Sequence, residues 1–276
     1  MNLGINDIRE ITSAMSAYTN MDYTEYALSF LKRRLAYIFD HFNIRKVGTF
    51  IEALSQNDFR ENVTRLMFVE NTEMFRDPAF WRSLRDNVLL KLPEETQNIW
   101  LPDETSGEEI FSLAIILHEM NQAGKYKILC SNPSNSICEN IREGRLNASH
   151  LDVSQTNYKR LENRDRFIQY IKKENGTILL HENIVSQVSC EEFSINENNK
   201  PVKTGLIIFR NKAIYYNTKK AEKILTGLYN NLLPGGYIAI GVKEKMPLSI
   251  EDELIVIDKS EKIYQKPLLK RNSHHA

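Results

Sequence analysis

Residues Asn98 to Met120 read N-I-W-L-P-D-E-T-S-G-E-E-I-F-S-L-A-I-I-L-H-E-M. The apolar run Ile99-Trp100-Leu101 predicts a buried strand, and the polar run Pro102 to Gly107 predicts a turn. Ile110, Phe111, Leu113, Ala114, Ile116 and Leu117 then recur at helical spacing. Strand, turn and helix in that order open a doubly wound α/β domain. In such a domain the ligand lies beyond the carboxyl end of the strand, against the first amides of the helix. Any α/β protein contains such a unit, so the stretch points to a fold class and not to a reaction.

Downstream, Lys127 to Ser131 predicts a second strand and Asn135 to Arg142 a helix. Residues 146 to 175 are polar and weakly patterned, with short helices expected within 157–173. Asn175-Gly176 signals a turn between Tyr170-Ile171 and Thr177 to Leu180. Ser194 to Pro201 reads as a loop and Leu206 to Phe209 as another apolar strand. A helix over Thr218 to Leu233 is expected to stop at the breaker Pro234-Gly235-Gly236, ahead of a strand over Tyr237 to Val242. Leu254 to Ile257 and Lys262 to Tyr264 predict a closing antiparallel hairpin, and Arg271 to Ala276 a loose tail.

Upstream, residues 4 to 68 read as helical. Asp22 or Thr24 is expected to cap a helix with Tyr26, Leu28, Leu31, Leu35, Ile38 and Phe39 on its apolar face. Its other face carries Lys32, Arg33 and Arg34, but residues 1–70 hold 8 basic and 9 acidic side chains. A solvated helix face explains that distribution as well as a binding surface does. Asp77-Pro78 fits the start of a helix continued by Phe80, Trp81, Leu84, Val88 and Leu89, with Arg76 at its entrance.

Lys plus Arg equals Asp plus Glu, 36 each, so no global field points to nucleic acid or to insertion in a membrane. No apolar run is long enough to span a bilayer, and Met1 to Asp7 lacks the regions of a signal peptide. Three cysteines, Cys130, Cys138 and Cys190, are odd in number and lack metal-ligand spacing. They read as reduced thiols of a cytoplasmic protein.

Four pieces set side by side carry a resemblance. They are Asn71-Thr72-Glu73-Met74-Phe75-Arg76-Asp77, Ser106-Gly107-Glu108-Glu109-Ile110-Phe111-Ser112, Phe209-Arg210-Asn211-Lys212-Ala213-Ile214-Tyr215-Tyr216 and Leu233-Pro234-Gly235-Gly236-Tyr237. In that order they resemble T-x-F-F-R-D, T-G-E-E-P-Y-S, C-R-N-V-x-I-Y-F and L-x-P-G-G of the CheR family. These are S-adenosylmethionine-dependent methyltransferases that methylate receptor glutamates in bacterial chemotaxis. The resemblance implies a helical domain over residues 1–70, then a mostly parallel, Rossmann-like methyltransferase sheet over 71–270 ending in an antiparallel hairpin. It also implies S-adenosylmethionine as cofactor, S-adenosylhomocysteine as product, and the cytoplasmic domain of a chemotaxis-type receptor, or another signalling protein, as partner. Carried over position by position, the cofactor contacts fall on Thr72, Arg76, Glu109, Asn132, Asn183, Ile184, Phe209 and Arg210. Arg76 and Tyr215 take the catalytic places beside the transferred methyl.

The chain departs from the family pattern at several of these places. The turn after the first strand carries Asp103-Glu104 where small residues are usual, and the acid that holds the ribose hydroxyls is Asn132. A neutral acceptor there is weaker by about 1 kcal/mol. Glu70 replaces an asparagine, Phe209 a cysteine and Lys212 a valine, and the segment from Arg164 to Glu182 is shorter than the family's small β-subdomain. Two readings follow: a working protein-glutamate O-methyltransferase, or a catalytically degenerate relative that acts as a partner-binding signalling module.

Overall fold

The computed structural model describes residues 3–19, 21–68, 72–162, 166–193, 195 and 201–268. Glu70, most of the 194–201 loop and the 271–276 tail lie outside them.

Five α-helices, Ile5–Tyr18, Leu28–His41, Val47–Ala53, Asn57–Met67 and Pro78–Leu84, precede any strand among the described residues. The second starts later than its apolar pattern suggests. Asp22 caps a separate 3₁₀ turn, Tyr23–Glu25, by accepting from the Thr24 amide at 3.0 Å. Tyr26 then leaves the helix path and forms an isolated β-bridge with Tyr216. Its aromatic ring served the helical pattern only by coincidence of spacing; it packs 4.7 Å from the Tyr216 ring instead.

The strands are β1 (Asn98–Leu101), β2 (Lys127–Ser131), β3 (Arg145–Leu146), β4 (Ile171–Glu174) and β5 (Thr177–Leu180). Then come β6 (Val188–Glu191), β7 (Thr204–Phe209), β8 (Leu232–Ile240), β9 (Ile255–Asp258) and β10 (Ile263–Gln265). Seven of them form one sheet in the order β6-β2-β1-β7-β8-β10-β9. The first five run parallel, while β10 is antiparallel to both β8 and β9. This is the doubly wound α/β class expected, closed by the expected hairpin. Strand order reverses between β1 and β7, and that switch point opens the crevice where such sheets bind ligands. A small antiparallel sheet, β3-β5-β4, stands apart from it and contains the Asn175-Gly176 turn.

The period of two along each strand divides the core. Ile99, Leu101, Ile128, Cys130, Leu206 and Ile208 join one cluster with the N-terminal helices and the Glu108–Glu119 helix. Trp100, Leu129, Ile207, Phe209, Ile238 and Ile240 join another with Leu225 and Leu228 of the Thr218–Asn231 helix. Both faces are therefore covered, which is why the strands read as unbroken apolar runs.

The breaker falls elsewhere than expected. The helix ends at Asn231, and Pro234-Gly235-Gly236 lies inside β8. Thr204 pairs with Leu232 and Leu206 with Tyr237, so residues 233–236 bulge opposite Gly205. Gly235 holds φ +77° in this bulge. Lys266, arriving from beyond β10, bonds a carbonyl of the last helical turn and that of the capping residue: its Nζ donates to Tyr229 O at 3.0 Å and Leu232 O at 2.9 Å. The helix itself ends at Asn231, ahead of the proline, where Leu232 turns to extended backbone at φ −68° and ψ 141°.

Candidate functional site

β1 ends at Leu101 and β7 at Phe209, side by side in the sheet. Beyond their carboxyl ends lies an open cleft, lined by residues that include Thr72, Arg76, Glu104, Glu109, Lys212 and Tyr215.

Three loops build it, each held in a strained or clamped form. Phe75 and Asp77 adopt left-handed φ of 55° and 56° on either side of Arg76. A bulky residue in that region is costly and persists only where its surroundings hold it. Here the Phe75 amide donates to Ser112 Oγ at 2.8 Å and the Met74 amide to Ser154 Oγ at 3.1 Å. The Phe75 ring is fully buried and lies 5.1 Å from Tyr158. The turn thus presents Arg76 exposed at the edge of the cleft.

The second loop follows β1. Asp103 has φ 50°, and its Oδ2 accepts from the Tyr216 hydroxyl at 2.8 Å. Burial raises the Asp103 pKa, although Tyr216 and Lys212 oppose the rise. Glu104 Oε1 accepts the Thr105 amide at 3.1 Å and the Gly107 amide at 3.3 Å, a carboxylate at the head of the Glu108–Glu119 helix. Gly107 has φ +92°, and a Cβ there would come within 2.5 Å of the Phe111 ring. Glu109 sits in the first turn, with its pKa raised by burial and by Glu104 against the pull of Lys212 and Arg210.

The third loop follows β7. Glu244 clamps it by accepting from the Gly241, Asn211 and Ile214 amides at 2.5, 3.0 and 3.3 Å. Arg210 is buried over the Phe80 ring at 3.8 Å and donates to Asp77 at 2.7 Å, tying this loop to the one that carries Arg76. Lys212 turns back across the sheet. Its Nζ donates to Pro102 O at 3.0 Å and lies 3.5 Å from Glu109 and 3.7 Å from Glu104. Tyr215 packs against Phe30 of the helical region at 4.8 Å, and Arg76 and Arg34 pull down a phenol pKa that burial raises.

Of the residues expected at the site, Thr72, Arg76, Glu109, Arg210 and Tyr215 meet in the cleft. Phe209 is a core side chain on the far cluster, Ile184 is buried in the near one, and Asn183 is exposed in a short helix, Glu182–Val185. Asn132 is fully buried with both ends of its amide engaged: Nδ2 donates to Glu104 O at 2.6 Å and Oδ1 accepts from the Ser134 amide at 2.8 Å. It braces the β1 loop against the β2 loop. Glu104, a departure that could repel the methionyl carboxylate or pair with the ammonium, lines the cleft, and so does Lys212, a departure without an assigned role. The one sequence signal for Lys212 is a cation three residues after the apolar end of a central strand.

The donor set suits a ligand with charged ends. Glu104 Oε2 and Arg210 Nε are buried and form no hydrogen bond with the described residues. An acceptor beside Glu109 and a donor near Arg76 match the ammonium and carboxylate of a methionyl group. The residues present therefore fit S-adenosylmethionine.

Residues 70–263 match the family model described as "CheR methyltransferase, SAM binding domain". The chain is 22% identical over 263 residues to the putative methyltransferase Cher3 of Pseudomonas putida, covering 94% of this chain and 96% of that one. It is 23% identical to the chemotaxis protein methyltransferase Cher2 of the same organism, over 77% of this chain and 80% of the other. With chemotaxis protein methyltransferase 2 of Vibrio cholerae it shares 24% identity, over 75% and 73% of the two chains.

Proposed function

Since the chain belongs to the CheR methyltransferase family, we propose that it methylates glutamate carboxylates on the cytoplasmic domain of a chemotaxis-type receptor. At the coarser level it is a CheR-type methyltransferase, and its cofactor is S-adenosylmethionine. No helix among the described residues is long and apolar enough to cross a membrane; the proposed place of action is the cytoplasm.

The observation that carries the reading is that Arg76 and Tyr215 share the edge of a cleft whose inner wall carries Glu104 and Glu109 beside Arg210 and Lys212. A glutamate acceptor is already ionised at neutral pH, so the site needs no general base. What it needs is alignment of one carboxylate oxygen and exclusion of water. Arg76 offers a planar fork that matches a carboxylate. The Tyr215 phenol, its pKa raised by burial, stays protonated near neutral pH and can donate a hydrogen bond to the same group. Glu104 and Glu109 supply the negative wall for the donor's cationic end. S-adenosylmethionine, when bound, supplies the electrophilic methyl.

The helical region is part of this arrangement. The Ala27 amide donates to Tyr215 O at 2.8 Å and the Asn217 amide to Glu25 O at 2.9 Å. Lys220 pairs with Glu25 at 2.5 Å. A partner gripping the helices thereby bears on the loop that carries Tyr215.

The test is incubation with methyl-labelled S-adenosylmethionine and purified receptor cytoplasmic domains. Base-labile label on receptor glutamates is expected. Label on another protein or residue type rejects the receptor-glutamate substrate. Donor binding without any transfer favours the partner-binding module.

A further inference from the structure

Lys212 is the one buried lysine of the described residues, at 8% exposure, and it points into the ligand crevice instead of outward. Its place is enforced. The Glu244 clamp fixes the backbone on either side, Asn211 takes a left-handed φ of 57°, and a Cβ at Gly241 would come within 2.5 Å of Asn211 Oδ1. The resulting contacts are those of an ammonium in a cage of acceptors: Pro102 O at the carboxyl end of β1, Glu109 and Glu104.

A methionyl ammonium entering this cleft needs the same acceptors. Across the described residues of the cleft lining, the carboxylates are Glu73, Glu104 and Glu109. Glu104 and Glu109 surround Lys212, and Asp103 adds its field from behind. Buried carboxylates of this kind require a cation. In the free protein Arg210 lies 3.7 Å from Glu109 Oε1, and Lys212 is the cation between Glu109 Oε2 and Glu104; a ligand ammonium and the lysine cannot both hold that place.

We propose that Lys212 is a tethered occupant of the ammonium subsite, and that the methyl donor binds by displacing its Nζ from Pro102, Glu104 and Glu109. The proposal rests on the reading of the cleft as the S-adenosylmethionine site. It makes Lys212 a built-in competitor that sets the concentration of donor at which the enzyme loads.

Calorimetric titration of the full chain with S-adenosylhomocysteine and, separately, with 5′-methylthioadenosine tests it, since only the first carries an ammonium. Lys212→Met removes the charge at similar length. Lys212→Gln also removes it but keeps a donor for Pro102, and serves if the methionine variant folds poorly. Either variant is expected to bind S-adenosylhomocysteine about tenfold more tightly than the natural chain, with 5′-methylthioadenosine affinity unchanged. The free variant is expected to melt lower than the natural chain, and saturating S-adenosylhomocysteine to raise its melting temperature more. Equal tightening of both ligands overturns the proposal, because Lys212 would then obstruct by bulk alone. Weakened S-adenosylhomocysteine binding also overturns it, by making Lys212 a direct ligand of the bound molecule. Unchanged affinity for both does the same. Binding of neither ligand by any form overturns the cofactor reading itself.

Discussion

The two ends of the cleft are built on opposite terms. At its edge, neither the Arg76 guanidinium nor the Tyr215 hydroxyl has a hydrogen bond among the described residues, while the backbone beneath Arg76 is strained and tightly anchored. On its floor the buried polar groups are tied largely to one another: Asp103 with Tyr216, Asn132 with Glu104 O and the Ser134 amide, Lys212 with Pro102 and two carboxylates, although Glu104 Oε2 and Arg210 Nε form no hydrogen bond among the described residues. The difference follows from solvent. A guanidinium in contact with water loses little by waiting for its partner. A buried carboxylate or amide must be paired at once, at a cost of about 1–3 kcal/mol for each group left bare. The edge is thus ready for an acceptor, whereas the floor must exchange internal contacts for the donor's.

The sharpest way to break this contrast is Arg76→Ala. If the edge acts through an uncommitted cation, methyl transfer should fall by about 100-fold or more, the scale of losing one charge-stabilising group. Circular dichroism and melting should stay those of the natural chain, because the side chain is exposed and supports nothing else. Unchanged turnover in the labelled-methyl assay would remove Arg76 from the reaction.

Asn132→Asp probes the floor. Reading residue 132 as a ribose ligand, a carboxylate should strengthen binding. The geometry reverses that sign, since the new oxygen would face Glu104 O across 2.6 Å where an amide now donates. A loss of about 2 kcal/mol in stability is expected, with no gain in donor affinity. Urea unfolding and calorimetry read the two effects; tighter binding at unchanged stability would show that the amide is free to turn toward a ligand.

Tyr215→Phe returns to the edge with a smaller change. One neutral hydrogen bond is lost while the packing on Phe30 remains, so turnover should drop roughly fivefold. A loss as large as that of Arg76→Ala would give the hydroxyl more than a positioning role.

Much of the fold was legible because it depends on period and run length. The apolar strand at Ile99–Leu101, the helix after Gly107 and the terminal hairpin all survive as read. Tyr26 and Pro234-Gly235-Gly236 misled because a bridge to Tyr216 and a bulge opposite Gly205 are long-range facts that local spacing does not carry. At the site, Arg76, Glu109, Arg210 and Tyr215 were legible as motif positions. The role of Lys212 was not, because it depends on a backbone clamp from Glu244, 32 residues further along the chain (244 − 212), and on carboxylates after another strand. The bracing by Asn132 was not legible for a related reason: an amide at a strand end can serve a ligand or brace a neighbouring loop, and its bonds to Glu104 O and the Ser134 amide come from the fold.

The smallest expected effect lies at Asp103, where burial and attraction compete. Burial raises its pKa, while the Tyr216 hydroxyl, Lys212, the Ile195 amide and Lys220 lower it, and the net direction is upward. A carboxyl group with a folded pKa above its unfolded value binds more protons in the native state than in the unfolded state across the interval between the two. Stability contributed by this group is therefore lost as pH rises from 3.8 through the raised value, and the penalty persists at neutral pH. Asp103→Asn removes the titrating charge and still leaves an oxygen to accept from Tyr216. The variant should be more stable than the natural chain at pH 7, by up to about 1 kcal/mol, and the advantage should shrink as pH falls through the raised pKa. Paired urea melts at pH 7 and pH 5 measure both. If Asp103→Asn is instead less stable at pH 7, attraction to Lys212 and Lys220 outweighs burial. The floor would then be a net source of stability even before any ligand arrives, and the contrast with the edge would narrow.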